Sequence, residues 1–319
     1  MTEASNAGAS VIPAAAEFTP PRPVSNGRGI AFMSAAMFLF AAVDTQAKFL
    51  TETLHPIQIV WARQSGLLVG VIALLAIKGF GILRTRKPAF QITRGLLAAA
   101  SATIFTFAIR HVPLADAIAV SFVAPFIVTV AGALALGETV GIRRWIAVSI
   151  GFAGTLIVLR PGMGMVHPAI LLVLVAASCF AFRQILSRAV AGTDRVETTI
   201  AYTAISASLA LTLPLSFVWR WPDSGTVIAL LFGVAILSAA GEVFVIKALE
   251  EAQAVVVAPV MYTVMIWGTM WGWLVFGQLP DAWTWTGTLV IVATGIYTLN
   301  RERLADRARA RPADPISGR

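Results

Sequence analysis

The sequence predicts an all-α membrane protein of ten transmembrane helices in two inverted five-helix repeats. Three observations lead there: an excess of apolar residues, apolar runs that recur at span length, and Lys and Arg residues that punctuate those runs. Hydrophobic residues make up 58% of the 319-residue chain and charged residues 13%. Ordinary globular proteins hold roughly 45–50% and about 25%. The mean hydropathy of +0.81 agrees. A water-soluble fold has too little interior to hide that much apolar surface, so lipid must be most of the solvent.

Residues 1–28 are rich in Ala, Ser, Gly and Pro, including Pro13, Pro20, Pro21 and Pro23, and predict a disordered cytoplasmic tail. Apolar runs follow at 29–50, 57–77, 92–110, 114–136, 142–159, 167–187, 198–219, 226–247, 254–277 and 282–300. Each is close to the roughly 20 residues that cross a bilayer. Pro113 divides the third run from the fourth and opens the latter, as a first-turn proline does. Pro56 and Pro168 stand just inside two other starts. Residues 301–319 are a basic tail.

Lys and Arg set the orientation, because cytoplasmic loops collect them. With the N-terminus inside, all but Lys48, Arg63, Arg110, Arg160 and Arg220 of the 24 bases fall on the inner side. Both termini are therefore expected in the cytoplasm, and a bacterial cytoplasmic (inner) membrane is the expected location. The net charge of +8 is thus a topology signal and not a nucleic-acid surface.

The halves resemble one another. GETVGIRRW (137–145) and GQLPDAWTW (277–285) share their Gly-to-Trp spacing, and at the same offset Lys48 faces Arg188. The first of these loops carries Arg143 and Arg144, the second no base. Repeats of five spans must have opposite orientations, and the charge difference fits. The expected units are 29–162 and 163–300. Inverted repeats of this kind are typical of secondary transporters.

The stretch AIRHVPLADAIAVSFVAPFIVTVAGALALGETVGIRRWIAVSIGFAGTLIVLRPG (108–162) resembles the EamA-type family of the drug/metabolite transporter superfamily. The resemblance lies in an A-x-A turn, a mid-helix Pro, an L-G-E at a helix end, and a G-x-x-G span that closes in R-P-G. KALEEAQAVVVAPVMYTVMIWGTMWGWLVFGQLPDAWTW (247–285) repeats the pattern. The resemblance covers about residues 29–303. It implies ten helices in two inverted repeats, a central cavity, and small organic solutes as cargo. Gln278 departs from it, standing at a predicted outer span end where the family often has Glu.

Ionisable groups inside a span cost roughly 2.5–3.5 kcal/mol if they face lipid, so they turn inward or find partners. Asp44 and Lys48 share one face of the first span, and Arg63 and Gln64 lie in the second. At about six residues from their outer ends, Asp44 and Arg63 lie roughly 9 Å deep. A cluster of Asp44, Lys48 and Arg63 would serve cargo or a proton, or would simply pair two helices. Arg183 and Gln184 near the inner end of the sixth span are candidates for an inner gate. Glu242 of the eighth span, a candidate partner of Arg183, is with Gln64 a candidate for cargo binding or coupling, with Asp44 or Glu242 as the carrier of a coupled proton. Arg183 could equally snorkel to headgroups. Tyr202, Tyr262 and Trp267 fall within spans and are candidate cargo contacts. Pro125 and Pro259 are candidate hinges, since each removes a helix hydrogen bond.

Other chemistry is disfavoured. The single Cys179 makes no disulfide framework, and His55, His111 and His167 all fall near span ends. There is no phosphate-loop motif and no H-E-x-x-H. The sequence predicts no enzyme, no metal and no cofactor. The expected function is a permease for a small polar or amphipathic metabolite, with amino acids or their derivatives suggested by the resemblance alone. Its partners would be that metabolite, membrane lipid and a coupled proton, and no nucleic acid. The alternatives are a passive channel or scramblase-like protein and, behind them, an intramembrane enzyme.

Overall fold

A computed structural model describes residues 26–135, 141–160, 167–190, 193–252 and 254–310. All regular structure among them is helical: α1 (Asn26–Leu50), α2 (Pro56–Lys78), α3 (Pro88–Ile109), α4 (Leu114–Ser121), α5 (Ala124–Ala135), α6 (Ile142–Leu159), α7 (Ile170–Val190), α8 (Val196–Val218), α9 (Gly225–Glu251), α10 (Ala254–Val257), α11 (Thr263–Phe276) and α12 (Ala282–Ala310). Eight segments are long and apolar enough to cross a membrane. Trp145–Leu159 within α6 is a shorter apolar helix. In α12, Trp and Thr residues dilute the apolar stretch before it runs on into basic residues. The expected tail at 1–28 lies outside the described residues up to position 25. From Asn26 the chain is already helical, and Arg28 pairs there with Glu251 of α9 at 3.5 Å. The tail beyond 310 and the junctions 136–140 and 161–166 also lie outside the described residues.

Two expected spans are broken where a proline stands. Pro125 has no N–H to offer the Ser121 carbonyl, and the run 114–136 divides into α4 and α5 at Phe122 and Val123. Pro259 likewise ends α10, and residues 258–262 form a 3-10 turn before α11 begins. Pro214, by contrast, sits inside an unbroken α8.

Hydrogen bonds and ion pairs sort the loops onto two faces. On the face where α1 begins, here the terminal face, Lys78 meets Glu197 at 3.0 Å. There, too, Asp194 accepts from Thr85 and Gln91. Those two donors hold the Asp194 carboxyl below the usual carboxylate range. On the far face, the buried Gln58 exchanges two hydrogen bonds with the Arg220 backbone, and the rings of His111 and His167 stack at 5.1 Å.

The helices gather into two bundles. In the first, α1 packs on α9, α10 and α11; in the second, α7 packs on α3, α4 and α5. Helix α2 packs on α8 and α9, α8 also packs on α3, and α6 pairs with α12. Without a hydrophobic drive between helices in lipid, close approach of backbones holds such seams together, and small residues permit it. At the α6–α12 seam, Gly154 and Gly287 each face the other's carbonyl. At the α2–α9 seam, Gly66 lies directly against the Ala235 backbone. Gly66→Ala should therefore lower the thermal unfolding temperature in detergent by several degrees, at a cost of about 1–3 kcal/mol for overpacking. Gly70→Ala, one turn along and in open space, should leave it unchanged.

Candidate functional site

Between the two bundles lies a cavity of about 670 Å³. The first bundle lines it with Met33, Met37, Phe40 and Asp44 of α1, and with Ser238, Glu242, Val245 and Leu249 of α9. The second contributes Ser101 and Phe105 of α3, Phe122 and Pro125 at the α4–α5 break, and Phe180, Arg183 and Gln184 of α7. Arg63 and Gln64 enter from α2 and Thr203 from α8. Among the charged side chains of the described residues, Asp44, Arg63, Arg183 and Glu242 alone line it.

The sequence places Asp44 and Arg63 at matching depth, and they meet, Arg63 Nη1 lying 3.4 Å from Asp44 Oδ1. Lys48 goes elsewhere. One turn further along α1 it is buried, and its Nζ donates to the Val112 carbonyl at 2.6 Å and to Gln278 Oε1 at 2.9 Å. The local fold prepares that contact. Gly277 ends α11 in the left-handed region at φ 64°, donating to Trp273, while Gln278 N–H donates to Gly272. This is a glycine C-cap of the Schellman type, and it presents the Gln278 side chain to Lys48. The departure from Glu at position 278 thus makes this contact a hydrogen bond to a neutral acceptor and not an ion pair.

Arg183 and Glu242 face the same cavity from opposite bundles. Among the described residues, no ion pair or hydrogen bond joins Arg183 to Glu242, and Arg183 Nε is buried without a partner. The Arg183 guanidinium lies over the Phe180 ring, 4.7 Å from its centre. Tyr202 is drawn away from the cavity and donates to the Leu83 carbonyl at 3.2 Å. Tyr262 packs on Phe122, with ring centres 4.8 Å apart, and its hydroxyl abuts Gly295 of α12. Trp267 sets its edge against Phe38 at 5.3 Å. None of these three aromatics lines the cavity. Pro125 does, and Pro259 lies between the lining residues Ala258 and Met261.

Several polar contacts carry no signal in the apolar periodicity. Arg94, counted by sequence among the topology-setting bases, is buried in α3, where it donates to Ser187, Gln91 and Thr203. Its position two residues inside an apolar run, beside Gln91, is the clue that was available. On the far face, Thr284 donates to Asp116 at 2.9 Å and Arg160 pairs with Asp281. Burial alone would raise the Asp281 carboxyl, but the Thr284 amide and the Arg160 guanidinium outweigh it and hold the group below its usual range.

The far face is closed by more than these contacts. One apolar cluster unites Val43, Ala47 and Leu50 of α1 with Ile109, Leu114 and Val120 of the second bundle. The corresponding cluster toward the terminal face joins Met33 and Met37 only to Ala248, Ala252 and Val257 of their own bundle. The two bundles thus meet on the far side of the cavity, and the lining continues on the terminal side to Leu249, two residues from the end of α9.

The model of the EamA-like transporter family matches this chain twice, over residues 27–160 and 167–301. An S-adenosylmethionine uptake transporter of Rickettsia felis (strain ATCC VR-1525 / URRWXCal2) is 25% identical over 280 residues, spanning 87% of this chain and 94% of that protein. A riboflavin transporter of Vibrio cholerae serotype O1 is 29% identical over 287 residues, 88% and 95% of the two chains. A pseudopaline exporter of Pseudomonas aeruginosa (strain UCBPP-PA14) is 27% identical over 275 residues, 84% and 94%. A solved crystal structure shares the fold with a TM-score of 0.60 at 17% identity, covering 88% of this chain and 99% of its own.

The Asp44–Arg63 pair makes one energetic expectation concrete. Breaking a buried pair leaves an uncompensated charge and costs about 3–5 kcal/mol, whereas removing both partners costs much less. Partial exposure of both side chains lowers the first figure. In detergent, Arg63→Gln should therefore lower the unfolding temperature more than the double variant Asp44→Asn/Arg63→Gln does. Equal or additive losses would mean that the two side chains do not stabilise one another.

Proposed function

This chain belongs to the EamA-like transporter family, and from that premise we propose that it is a secondary transporter moving a small polar or amphipathic metabolite by alternating access. It is an integral membrane protein, and the relatives it matches are named transporters, not enzymes. The observation that carries the proposal is the asymmetry of the cavity. Toward the far side α1 shares one apolar cluster with the second bundle, whereas toward the terminal side its cluster is confined to its own bundle and the link across is left to α2 and α8. That arrangement is one end state of a rocking motion around a fixed site.

Ten spans in two inverted halves is the architecture that we propose for this motion. The packing supports it, because exchanging α1 with α7, α2 with α8, α3 with α9, α4–α5 with α10–α11 and α6 with α12 leaves the most extensive pairings unchanged. Thus α1 on α9 becomes α7 on α3, and α1 on α11 becomes α7 on α5. The duplicated family match supports it as well. The two proline breaks occupy corresponding positions and serve as the hinges. With the bases predominantly on the terminal face, that face is the cytoplasmic one, both termini lie inside, and the membrane is the bacterial inner membrane. The structure then corresponds to the state open toward the cytoplasm.

Lys48 is the polar latch of this state, since it ties α1 to Val112 across the bundle boundary. Asp44 and Glu242, the two acids lining the cavity, are the sites for a coupled proton. In proteoliposomes loaded with a cell metabolite extract, the protein should release a selected set of molecules with saturable kinetics and trans-stimulation. Lys48→Met should slow that exchange several-fold, and Asp44→Asn should remove its response to a pH gradient while leaving exchange in place. Unsaturable, unselective flux would instead identify a passive pore, and chemically altered products an enzyme.

A further inference from the structure

Resting on the transporter reading, we infer that Arg183 is the anchor for an anionic group on the cargo, and that this group is a carboxylate carrying a single charge. The charges around the cavity do not balance internally. Asp44 and Arg63 neutralise one another at 3.4 Å. Three groups remain: Arg183, Glu242, and Arg94, which stands behind the lining residue Thr203 and acts electrostatically on the other two. With both acids in their proton-free state, two guanidiniums against one carboxylate leave an excess of one positive charge in the empty protein. A low-dielectric bundle does not hold an unmatched charge without cost, and a cargo bearing one negative charge offsets it. A phosphate monoester, with nearly two charges, would overshoot.

The unsatisfied donors point the same way. Arg183 Nε is buried without a hydrogen-bond partner, and so is the Ser238 hydroxyl on the facing helix α9. Arg94 differs, being engaged by Ser187, Gln91 and Thr203. The Arg183 guanidinium lies over the Phe180 ring at 4.7 Å from its centre, a contact that leaves its N–H donors for a carboxylate. An edge-on carboxylate accepts two parallel N–H bonds from a guanidinium, a geometry that a lysine cannot reproduce. Arg183 belongs to the second bundle and Glu242 to the first, so occupancy of Arg183 also governs whether the two can approach one another.

The released molecules from extract-loaded proteoliposomes test this by their charge. Every selectively released compound should carry a carboxylate. The most strongly released compound should raise the unfolding temperature of the purified protein, and its methyl ester should not. Arg183→Gln should lose at least about tenfold in exchange, and Arg183→Lys should recover only part of it, both variants eluting as monodisperse protein. Arg183→Gln/Glu242→Gln should stay as slow as the single variant. Recovery of the double variant would show that Arg183 serves only to pair Glu242, and overturns the inference. Release of neutral or purely cationic compounds, or equal stabilisation by acid and ester, also overturns it while leaving the transporter reading intact. Absence of any protein-dependent release overturns the transporter reading, and this inference with it.

Discussion

Lipid offers no hydrogen bonds, and that constraint runs through every part of this protein. Each backbone amide and each charged side chain within the bilayer must find its partner inside the bundle or pay several kcal/mol. The backbone answers by taking helical form in every regular element of the described residues. Side-chain hydroxyls turn back onto carbonyls one turn earlier, as Thr45 does onto Ala41 and Ser178 onto Leu174. The glutamines and arginines that cannot do so become interhelical ties, as with Gln91 and Arg94 beneath the cavity. Where a proline withdraws a donor, at positions 125 and 259, the freed backbone faces the cavity, where irregular backbone is tolerated.

The same constraint governs how the helices hold to one another. Helices in lipid adhere by close packing of small residues, a contact that is lost sharply with separation and regained elsewhere at similar value. The seams within each bundle run the length of their helices. The contact of α1 with the second bundle is an apolar cluster on the far side, with Lys48 tied to Val112 there, while α2 and α8 meet in two smaller apolar clusters.

Much of this was legible in the sequence, and the parts that were not share a cause. Run lengths and proline positions fixed the helices and their breaks, because both are consequences of local backbone chemistry. Asp44 and Arg63 could be paired because depth along a span follows from residue count. Lys48 could not be placed by that rule. Depth gives a height in the membrane but not the direction in which a long side chain leaves the helix, and Lys48 leaves toward Val112 and Gln278. Tyr202, Tyr262 and Trp267 have suitable depth and engage other partners outside the cavity lining for the same reason. Arg94 was hidden by its usefulness as a topology signal: a base near a span end is expected there, and its place inside an apolar run beside Gln91 was the one local mark of burial.

The account turns on one claim, that the cavity communicates with one side at a time and that Lys48 secures the far side. Thiol accessibility measures this directly. In a Cys179→Ala background, a single cysteine is placed at Val245, which lines the cavity toward the terminal face, or at Ile118, which lines it beneath the far-side cluster. An impermeant maleimide is then applied to each side of sealed vesicles. The thiol at 245 should react only from the terminal side and the thiol at 118 only weakly from the far side, with Lys48→Met increasing the second reaction. Rapid reaction of the thiol at 118 from the far side with Lys48 intact, alongside reaction at 245 from the terminal side, would contradict alternating access.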